Sequence, residues 1–101
     1  MIHEYDSERR KLKIIFDEDI DVNSCKTLRT IVDGYIMKYS PDVCELNMKD
    51  VGFMDSSGLG FVVGRYNLAN MLSCKLLVTN TSSSIQKMLQ LYEKTKNIKA
   101  V

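Results

Sequence analysis

The chain has 101 residues, 45% of them hydrophobic and 27% charged, and a formal net charge of +1. This length fits one domain with a modest core, and the composition is that of an ordinary globular protein. The balanced charge, without a basic run, argues against nucleic-acid binding. No apolar run is long enough to cross a membrane, and the polar N-terminus is unlike a signal peptide. We therefore expect a cytoplasmic protein without membrane contact.

The cysteines and the histidine do not form a recognisable reactive or metal-binding group. Cys25, Cys44 and Cys74 are far apart and lack the spacing of a zinc site or a disulfide framework. Reduced thiols buried as small hydrophobic side chains are expected. The single histidine, His3, lies near the N-terminus, which argues against a Ser-His-Asp relay. The sequence predicts neither an enzyme nor a cofactor or metal site.

Two strands are predicted at the start of the chain, over residues 2–6 and 12–16, with a polar hairpin loop between them. An acidic segment follows, in which Asp17, Glu18, Asp19 and Asp21 place four carboxylates within five residues. Carboxylate oxygens are ligands for divalent cations. However, the segment lacks the glycine and the distal glutamate of a calcium loop, which favours a solvated loop.

The first helix shows strong amphipathic periodicity. Asn23 or Ser24 is its predicted N-cap, and Ser40-Pro41-Asp42 is predicted to end it. The apolar residues between these signals recur at helical spacing: Leu28, Ile31, Val32, Tyr35, Ile36 and Tyr39. A buried strand is predicted next, over residues 43–48.

Residues 53–66, FMDSSGLGFVVGRY, are predicted to form a tight turn and the start of a second helix. Ser56 or Ser57 is the predicted N-cap, and Gly58 is expected to expose backbone beside it. Because a helix N-terminus favours an anion, a serine here is suited to receive a phosphate. A simple capping role for the serine is the alternative interpretation, and the tetrapeptide alone leaves both open.

The second helix has two apolar stripes. Leu59, Val62, Val63 and Tyr66 are predicted to cover the sheet. The opposite stripe consists of Phe61, Arg65, Leu68 and Leu72, with Gly60 and Gly64 between the stripes. This second stripe is predicted either to pack on a neighbouring helix or to form an exposed surface for a partner.

A strand is predicted over 75–79, followed by a loop at 81–84 and a third helix. Its apolar face contains Ile85, Met88, Leu89 and Tyr92. A turn at 94–97 and a last strand over 98–101 complete the chain. The order β-β-α-β-α-β-α-(β) predicts a single α/β domain spanning 1–101, with a mixed sheet and helices packed mainly on one face.

The string FMDSSGLG followed by GRY resembles the signature of anti-sigma factor antagonists, which are bacterial STAS-domain proteins. The order of elements from Leu12 to Val101 is similar to that of the family as well. Within the family, the string is most similar to antagonists of the sporulation sigma factor F type, with general-stress antagonists second. The resemblance implies that Ser56, or less favourably Ser57, is phosphorylated.

The resemblance also implies the partners. The unphosphorylated form would bind an anti-sigma factor and so release a sigma factor for transcription. That anti-sigma factor would be an ATP-dependent serine kinase acting on the bound antagonist, and a serine phosphatase would reverse the modification. Apart from the resemblance, Asp55 is expected to hold the turn by accepting backbone hydrogen bonds. A phosphate on Ser56 would be accommodated by the amides of the helix start, together with a cation such as Arg65 or Lys49. The implied contact residues are Asp21, Asn23, Ser24, Asp55, Ser56, Ser57, Gly58, Phe61, Arg65 and Leu68.

Three departures separate the chain from the family pattern. Ser73-Cys74 stands where relatives usually have a glycine pair, and Ser83 or a neighbour stands where many have a proline. The chain ends at Val101, so the family's C-terminal helix is expected to be absent. A non-glycine residue in that turn is expected to cost strain rather than function.

Two other functions remain as alternatives. The first is a STAS scaffold or accessory subunit of a stress-sensing or transport complex, although such variants usually lack the full FMDSSGLG–GRY string. The second is a phosphate-handling or nucleotide-binding protein that uses the helix N-terminus at Ser56–Gly58. No Walker-type Gly-Lys-Ser sequence supports this second alternative.

Overall fold

The computed structural model of the chain describes residues 1–91 and 99–100, which form five strands and three helices. The strands are β1 (Ile2–Asp6), β2 (Lys11–Ile15), β3 (Val43–Asn47), β4 (Lys75–Thr79) and β5 (Lys99–Ala100), and the helices are α1 (Cys25–Tyr39), α2 (Ser56–Met71) and α3 (Ser83–Leu91). This order confirms the predicted one. Tyr92, the predicted turn at 94–97, and the predicted strand residues Ile98 and Val101 lie outside the described residues. None of the described helices is both long and apolar enough to span a bilayer.

The sheet has the strand order β1-β2-β3-β4-β5, so strands adjacent in the sequence are also adjacent in space. β1 pairs antiparallel with β2, whereas β2, β3, β4 and β5 are parallel. Parallel neighbours need a crossover connection, and each of the three crossovers contains a helix. As a result, the loops that follow β2 and β3 emerge at the same edge of the sheet.

The hydrophobic core lies between one face of the sheet and the three helices. Residues in register across β2, β3 and β4 line that face, with Leu12 opposite Cys44 and Cys44 opposite Leu76. These side chains are at most 4% exposed. The helices add side chains to the same cluster: Leu28, Val32, Ile36, Leu59, Val62, Ile85 and Leu89. Because all three helices share this core, they pack on one face, as predicted.

A polar network centred on Glu45 occupies the other face of the sheet. Glu45 is 8% exposed; its Oε1 lies 3.1 Å from Lys11 Nζ, and its Oε2 accepts a hydrogen bond of 2.8 Å from the Thr79 hydroxyl. Burial by itself would raise the pKa of Glu45. The hydrogen bonds from Thr79 and Lys11 and the nearby positive charges outweigh this effect, so the pKa lies below its ordinary value. The central strand therefore holds a charged side chain in its ionised form.

Cys25, Cys44 and Cys74 are free thiols. The expected burial is confirmed for Cys44 and Cys74, whereas Cys25 is only half-buried. Burial raises the pKa of Cys44 to about 12, with further contributions from Cys74 and Glu45. A thiol with such a pKa is protonated at neutral pH and is a poor nucleophile.

The turn between α2 and β4 passes through the left-handed region at Ser73, where φ is 55°. A side chain in this conformation is unfavourable because its Cβ approaches the following carbonyl oxygen. The sequence analysis expected backbone strain where Ser73-Cys74 replaces the family's glycine pair, and the positive φ of Ser73 confirms this expectation.

Candidate functional site

The N-terminus of α2 is capped by Asp55. This residue has extended backbone angles (φ −101°, ψ −171°), and its Oδ1 accepts a hydrogen bond from the Gly58 amide at 3.0 Å. Ser56 and Ser57 are the first and second residues of the helix, so the prediction that one of them is the N-cap is wrong. The carboxylate suits this position because its hydrogen bond is charge-assisted and its negative charge complements the helix dipole.

The two serine hydroxyls are therefore free of any capping role, but they differ in their surroundings. Within residues 1–91 and 99–100, neither hydroxyl has a hydrogen-bond partner. Ser56 is exposed, whereas Ser57 is half-buried and faces a groove between α1 and α2. Ser56 is thus the more accessible of the two.

Hydrogen bonds join the start of α2 to the loop after β2. Asp55 Oδ2 accepts from the Val22 amide at 3.1 Å, and the Ile20 amide donates to the Phe53 carbonyl at 3.1 Å. The hydrogen bond from the Gly58 amide, followed by that from Val22, lowers the pKa of Asp55. Asp55 is therefore ionised at neutral pH, and its predicted role as an acceptor of backbone hydrogen bonds is confirmed.

Asp21 holds the turn that leads into α1. Its Oδ1 accepts from the Asn23 and Ser24 amides at 2.9 and 3.1 Å. Ser24 occupies the N-cap position, but its hydroxyl donates to the Asp19 carbonyl at 2.8 Å and makes no capping bond. The predicted N-cap position is confirmed at Ser24, but its side chain makes no capping bond, because Asp21 forms the local turn instead. The structure does bring Asp21, Asn23 and Ser24 beside Asp55, as the resemblance implied.

Gly58 is buried rather than exposed, which corrects the sequence expectation. A Cβ at this position would overlap the Ile20 carbonyl oxygen and would lie 2.5 Å from Met54 Cγ. The helix therefore begins in direct contact with the backbone of the loop after β2, and only glycine leaves room for that contact.

The second apolar stripe of α2 packs against neighbouring elements for most of its length. Phe61 is 5% exposed and contacts Phe16 edge to face, with ring centroids 5.8 Å apart. Arg65 is 4% exposed, and its Nε lies 2.7 Å from Oδ1 of Asp33 on α1. Leu68 is half-buried. Of the two alternatives for this stripe, packing against neighbouring elements is confirmed for Phe61, through Phe16, and for Arg65, through Asp33 on α1. An exposed partner surface is wrong for these two residues.

The burial of Arg65 also removes it as a counter-ion for a phosphate on Ser56. Its charge is already paired with Asp33 inside the helix interface. Lys49, the other predicted cation, is exposed in the loop after β3.

Two exposed apolar side chains flank the serine turn and were not identified as surface residues from the sequence. Val22 is 67% exposed and Phe53 is 55% exposed. Both lie in the hydrogen-bonded loops, since the Val22 amide donates to Asp55 and the Phe53 carbonyl accepts from Ile20. Phe53 stands within the recognised string, but an apolar residue before a turn usually indicates the buried end of a strand. Its role as a surface residue was therefore missed, and only the structure shows that its side chain is exposed.

The acidic segment after β2 has structural partners. Asp17 Oδ1 pairs with the terminal ammonium group of Met1 at 2.9 Å, and Asp21 holds its own turn. In the part of the chain that the structure describes, no three His, Cys, Asp or Glu side chains are placed to hold a metal ion.

The fold and the site together define a small α/β domain that displays an accessible serine at a helix N-terminus, between two hydrogen-bonded loops. The family model for the STAS domain matches residues 5–100. The chain therefore belongs to the STAS domain family, which confirms the resemblance found in its sequence.

Relatives and solved structures agree with this assignment. The chain is 27% identical over 88 residues to the anti-sigma F factor antagonist of Paenibacillus polymyxa, covering 87% of this chain and 75% of that protein. It is similar to the anti-sigma factor antagonist SpoIIAA in its unphosphorylated form, with a TM-score of 0.76, 21% identity, and coverage of 99% and 86%. SpoIIAA from Bacillus in its phosphorylated form gives a TM-score of 0.71, with 22% identity and coverage of 92% and 84%. At these identities the structures establish the fold.

Proposed function

We propose that this protein is an anti-sigma factor antagonist that binds an anti-sigma factor while Ser56 is unmodified and dissociates when Ser56 is phosphorylated. The observation that carries the proposal is the exposed Ser56 hydroxyl, which is left without a bonding role because Asp55 caps the helix. Similarity to proteins described as anti-sigma factor antagonists supports it, as does the existence of SpoIIAA in unphosphorylated and phosphorylated forms. Ser56 is preferred to Ser57 because Ser57 is half-buried.

The proposed contact surface is built around the two joined loops. It combines the Asp21–Ser24 turn, the Ser56 hydroxyl and the exposed side chains of Val22 and Phe53. Exposed apolar side chains beside a polar rim are typical of protein-binding sites. Phe61 and Arg65 are left out because both side chains are buried.

Phosphorylation would act through charge and desolvation. A phosphate adds about −1.5 to −2 charges at neutral pH, close to the ionised Asp55. In the free protein this group stays in water at the N-terminus of α2, where the helix dipole favours an anion. In a complex it would be desolvated against a surface that fits a neutral hydroxyl. Binding would therefore be lost without a large conformational change.

The partner would itself be the kinase. We propose an ATP-binding anti-sigma factor that phosphorylates Ser56 in the complex, and a serine phosphatase that restores the active form. This pair of activities rests on the family resemblance of the FMDSSGLG–GRY string.

Capture from the native cell extract tests the proposal with four immobilised proteins: the wild type, Ser56→Ala, Ser56→Asp and Ser57→Ala. The wild type and both alanine variants are expected to retain an ATP-binding anti-sigma factor, whereas Ser56→Asp is not. After addition of Mg-ATP, mass spectrometry is expected to locate phosphate on Ser56 in the wild type and in Ser57→Ala.

Retention of the anti-sigma factor by Ser56→Asp, or phosphate on Ser57, would contradict the proposed switch. Capture of transporter or scaffold subunits, with Ser56 unmodified, would instead support the accessory-subunit alternative.

A further inference from the structure

The carboxylate of Asp55 joins two segments that lie 33 residues apart in the chain. Its Oδ1 accepts from the Gly58 amide, within its own helix, at a donor–acceptor distance of 3.0 Å. Its Oδ2 accepts from the Val22 amide, in the loop after β2, at 3.1 Å. One oxygen therefore caps α2, and the other holds a different loop.

The Asp21–Ser24 turn has few other ties to the start of α2. Its remaining hydrogen bonds are local to the loop and to the start of α1. The backbone contacts between this loop and the start of α2 are made by Ile20, the residue before the turn. Within residues 1–91 and 99–100, the bond from Val22 to Asp55 is the one hydrogen bond that joins the turn to residues 53–58. Without it, the turn would be free to pivot about Ile20.

Val22 carries the most exposed apolar side chain of the proposed contact surface. It is 67% exposed, against 55% for Phe53. Ordering a loop on binding costs conformational entropy, so a side chain that is already held in place contributes more to affinity. Because the amide bonded to Asp55 belongs to Val22 itself, this bond fixes the residue that a partner would meet.

The same bonds leave Asp55 unsuited to accept a proton from Ser56. Both of its oxygens already accept amide hydrogens. The bond from Gly58, ahead of that from Val22, lowers the pKa of Asp55. A carboxylate with a lowered pKa is a weak general base at neutral pH. Asp55 therefore acts through the backbone that it holds.

We propose that Asp55 is a positioning residue for partner recognition: its carboxylate fixes the Asp21–Ser24 turn, and with it Val22, against the start of α2. The partner then meets a preformed surface, and Asp55 itself need not contact it. This inference rests on the proposed function for its partner, whereas the coupling between Asp55 and Val22 is a property of the free protein.

Two substitutions at Asp55 break the bond to the loop and retain the helix cap. In Asp55→Asn, Oδ1 can still accept from Gly58, because asparagine is as good an N-cap as aspartate. Nδ2 is a donor, so the Val22 amide loses its acceptor. Asp55→Ser also caps the helix, but it has one oxygen on a shorter side chain. Asp19→Asn is the matched control, since it removes a negative charge from an exposed side chain of the same loop that makes no hydrogen bond among the described residues.

Amide hydrogen exchange of the free, full chain, followed by NMR, measures the coupling without a partner. The Val22 amide is expected to exchange about tenfold faster in Asp55→Asn and in Asp55→Ser than in the wild type. Exchange at Gly58 is expected to stay within about twofold in both variants, because the cap is kept. Asp19→Asn is expected to leave both amides unchanged.

Affinity for the anti-sigma factor captured by the wild type then tests recognition, in a double-mutant cycle with Val22→Ala. Asp55→Asn is expected to weaken binding about tenfold when Val22 is present and to have little further effect in the Val22→Ala background. A general loss of stability, or a direct contact between Asp55 and the partner, would weaken binding equally in both backgrounds.

Three results would overturn the inference. These are unchanged Val22 exchange in both Asp55 variants, equal losses of affinity in the two backgrounds, or full affinity of Asp55→Asn despite faster Val22 exchange. Each of them leaves the proposed function intact. If the wild type captures no anti-sigma factor, the proposed function fails, and the exchange of the Val22 amide alone decides whether Asp55 holds the turn.

Discussion

Gly58, Gly60 and Gly64 lie on the same helix, yet replacement by alanine is expected to have opposite effects on stability. A Cβ at Gly58 would overlap the Ile20 carbonyl oxygen, whereas at Gly60 and Gly64 it would meet nothing within 4 Å. None of the glycines has a positive φ. The backbone of each can therefore accept alanine, and only the space around the added methyl group differs.

The magnitudes follow from these surroundings. At Gly60 and Gly64, the loss of glycine's backbone freedom should stabilise the fold by about 0.5–1 kcal/mol. At Gly58, overpacking costs about 1–3 kcal/mol, and the upper half of that range applies because the obstructing atom belongs to the backbone. Once the gain in helix propensity is subtracted from this cost, we expect Gly58→Ala to lower the free energy of unfolding by about 1–2 kcal/mol. The variants Gly58→Ala and Gly60→Ala should therefore differ by about 2–3 kcal/mol.

Urea denaturation followed by circular dichroism measures these free energies of unfolding directly. The slope of the free energy of unfolding against urea concentration should be the same for all variants. Differences between their urea midpoints then measure differences in stability. In thermal unfolding, Gly58→Ala should melt about 10 °C or more below Gly60→Ala. Equal stability of the two variants would refute the conclusion that α2 begins in contact with the Ile20 backbone.

Two further predictions concern Glu45 and Ser73. Because the folded pKa of Glu45 lies below its ordinary value, the ionised side chain stabilises the fold at neutral pH, and this contribution is lost as pH falls through the folded pKa. Urea unfolding between about pH 7 and pH 3 should show a shallower decline for Glu45→Gln than for the wild type, and parallel curves would contradict the assignment. Ser73→Gly should raise the free energy of unfolding by about 0.5–1 kcal/mol, because glycine relieves the left-handed strain. Ser7→Gly, at an exposed turn position without a positive φ, is the control and should bring no gain.

The helices and strands were predictable because their apolar residues repeat with the period of each element. Leu28, Val32 and Ile36 recur on one face of α1, and all three are buried. The sequence also predicted a mixed sheet, whereas the spatial order of its strands came from the structure. The recognisable string around Ser56 then indicated the family, which the match over residues 5–100 confirms.

The details of the site were less predictable. Asp55, Ser56 and Ser57 are all good N-cap residues, and the sequence contains no signal that ranks them in place. The choice of Asp55 depends on its second hydrogen bond, to the Val22 amide, which comes from a segment 33 residues earlier in the chain. Local sequence patterns do not contain such a contact.

The amino-acid sequence by itself determined the elements, their order, the apolar face of each helix and the position of the serine turn, because these depend on local propensity and periodicity. Only the tertiary structure decided which side chains are accessible. Phe61 is buried against Phe16 and Arg65 is buried against Asp33 of α1, whereas Phe53, in the loop after β3, is exposed. Exposure depends on how distant elements pack together, and an amphipathic pattern does not specify which neighbour covers a second apolar stripe.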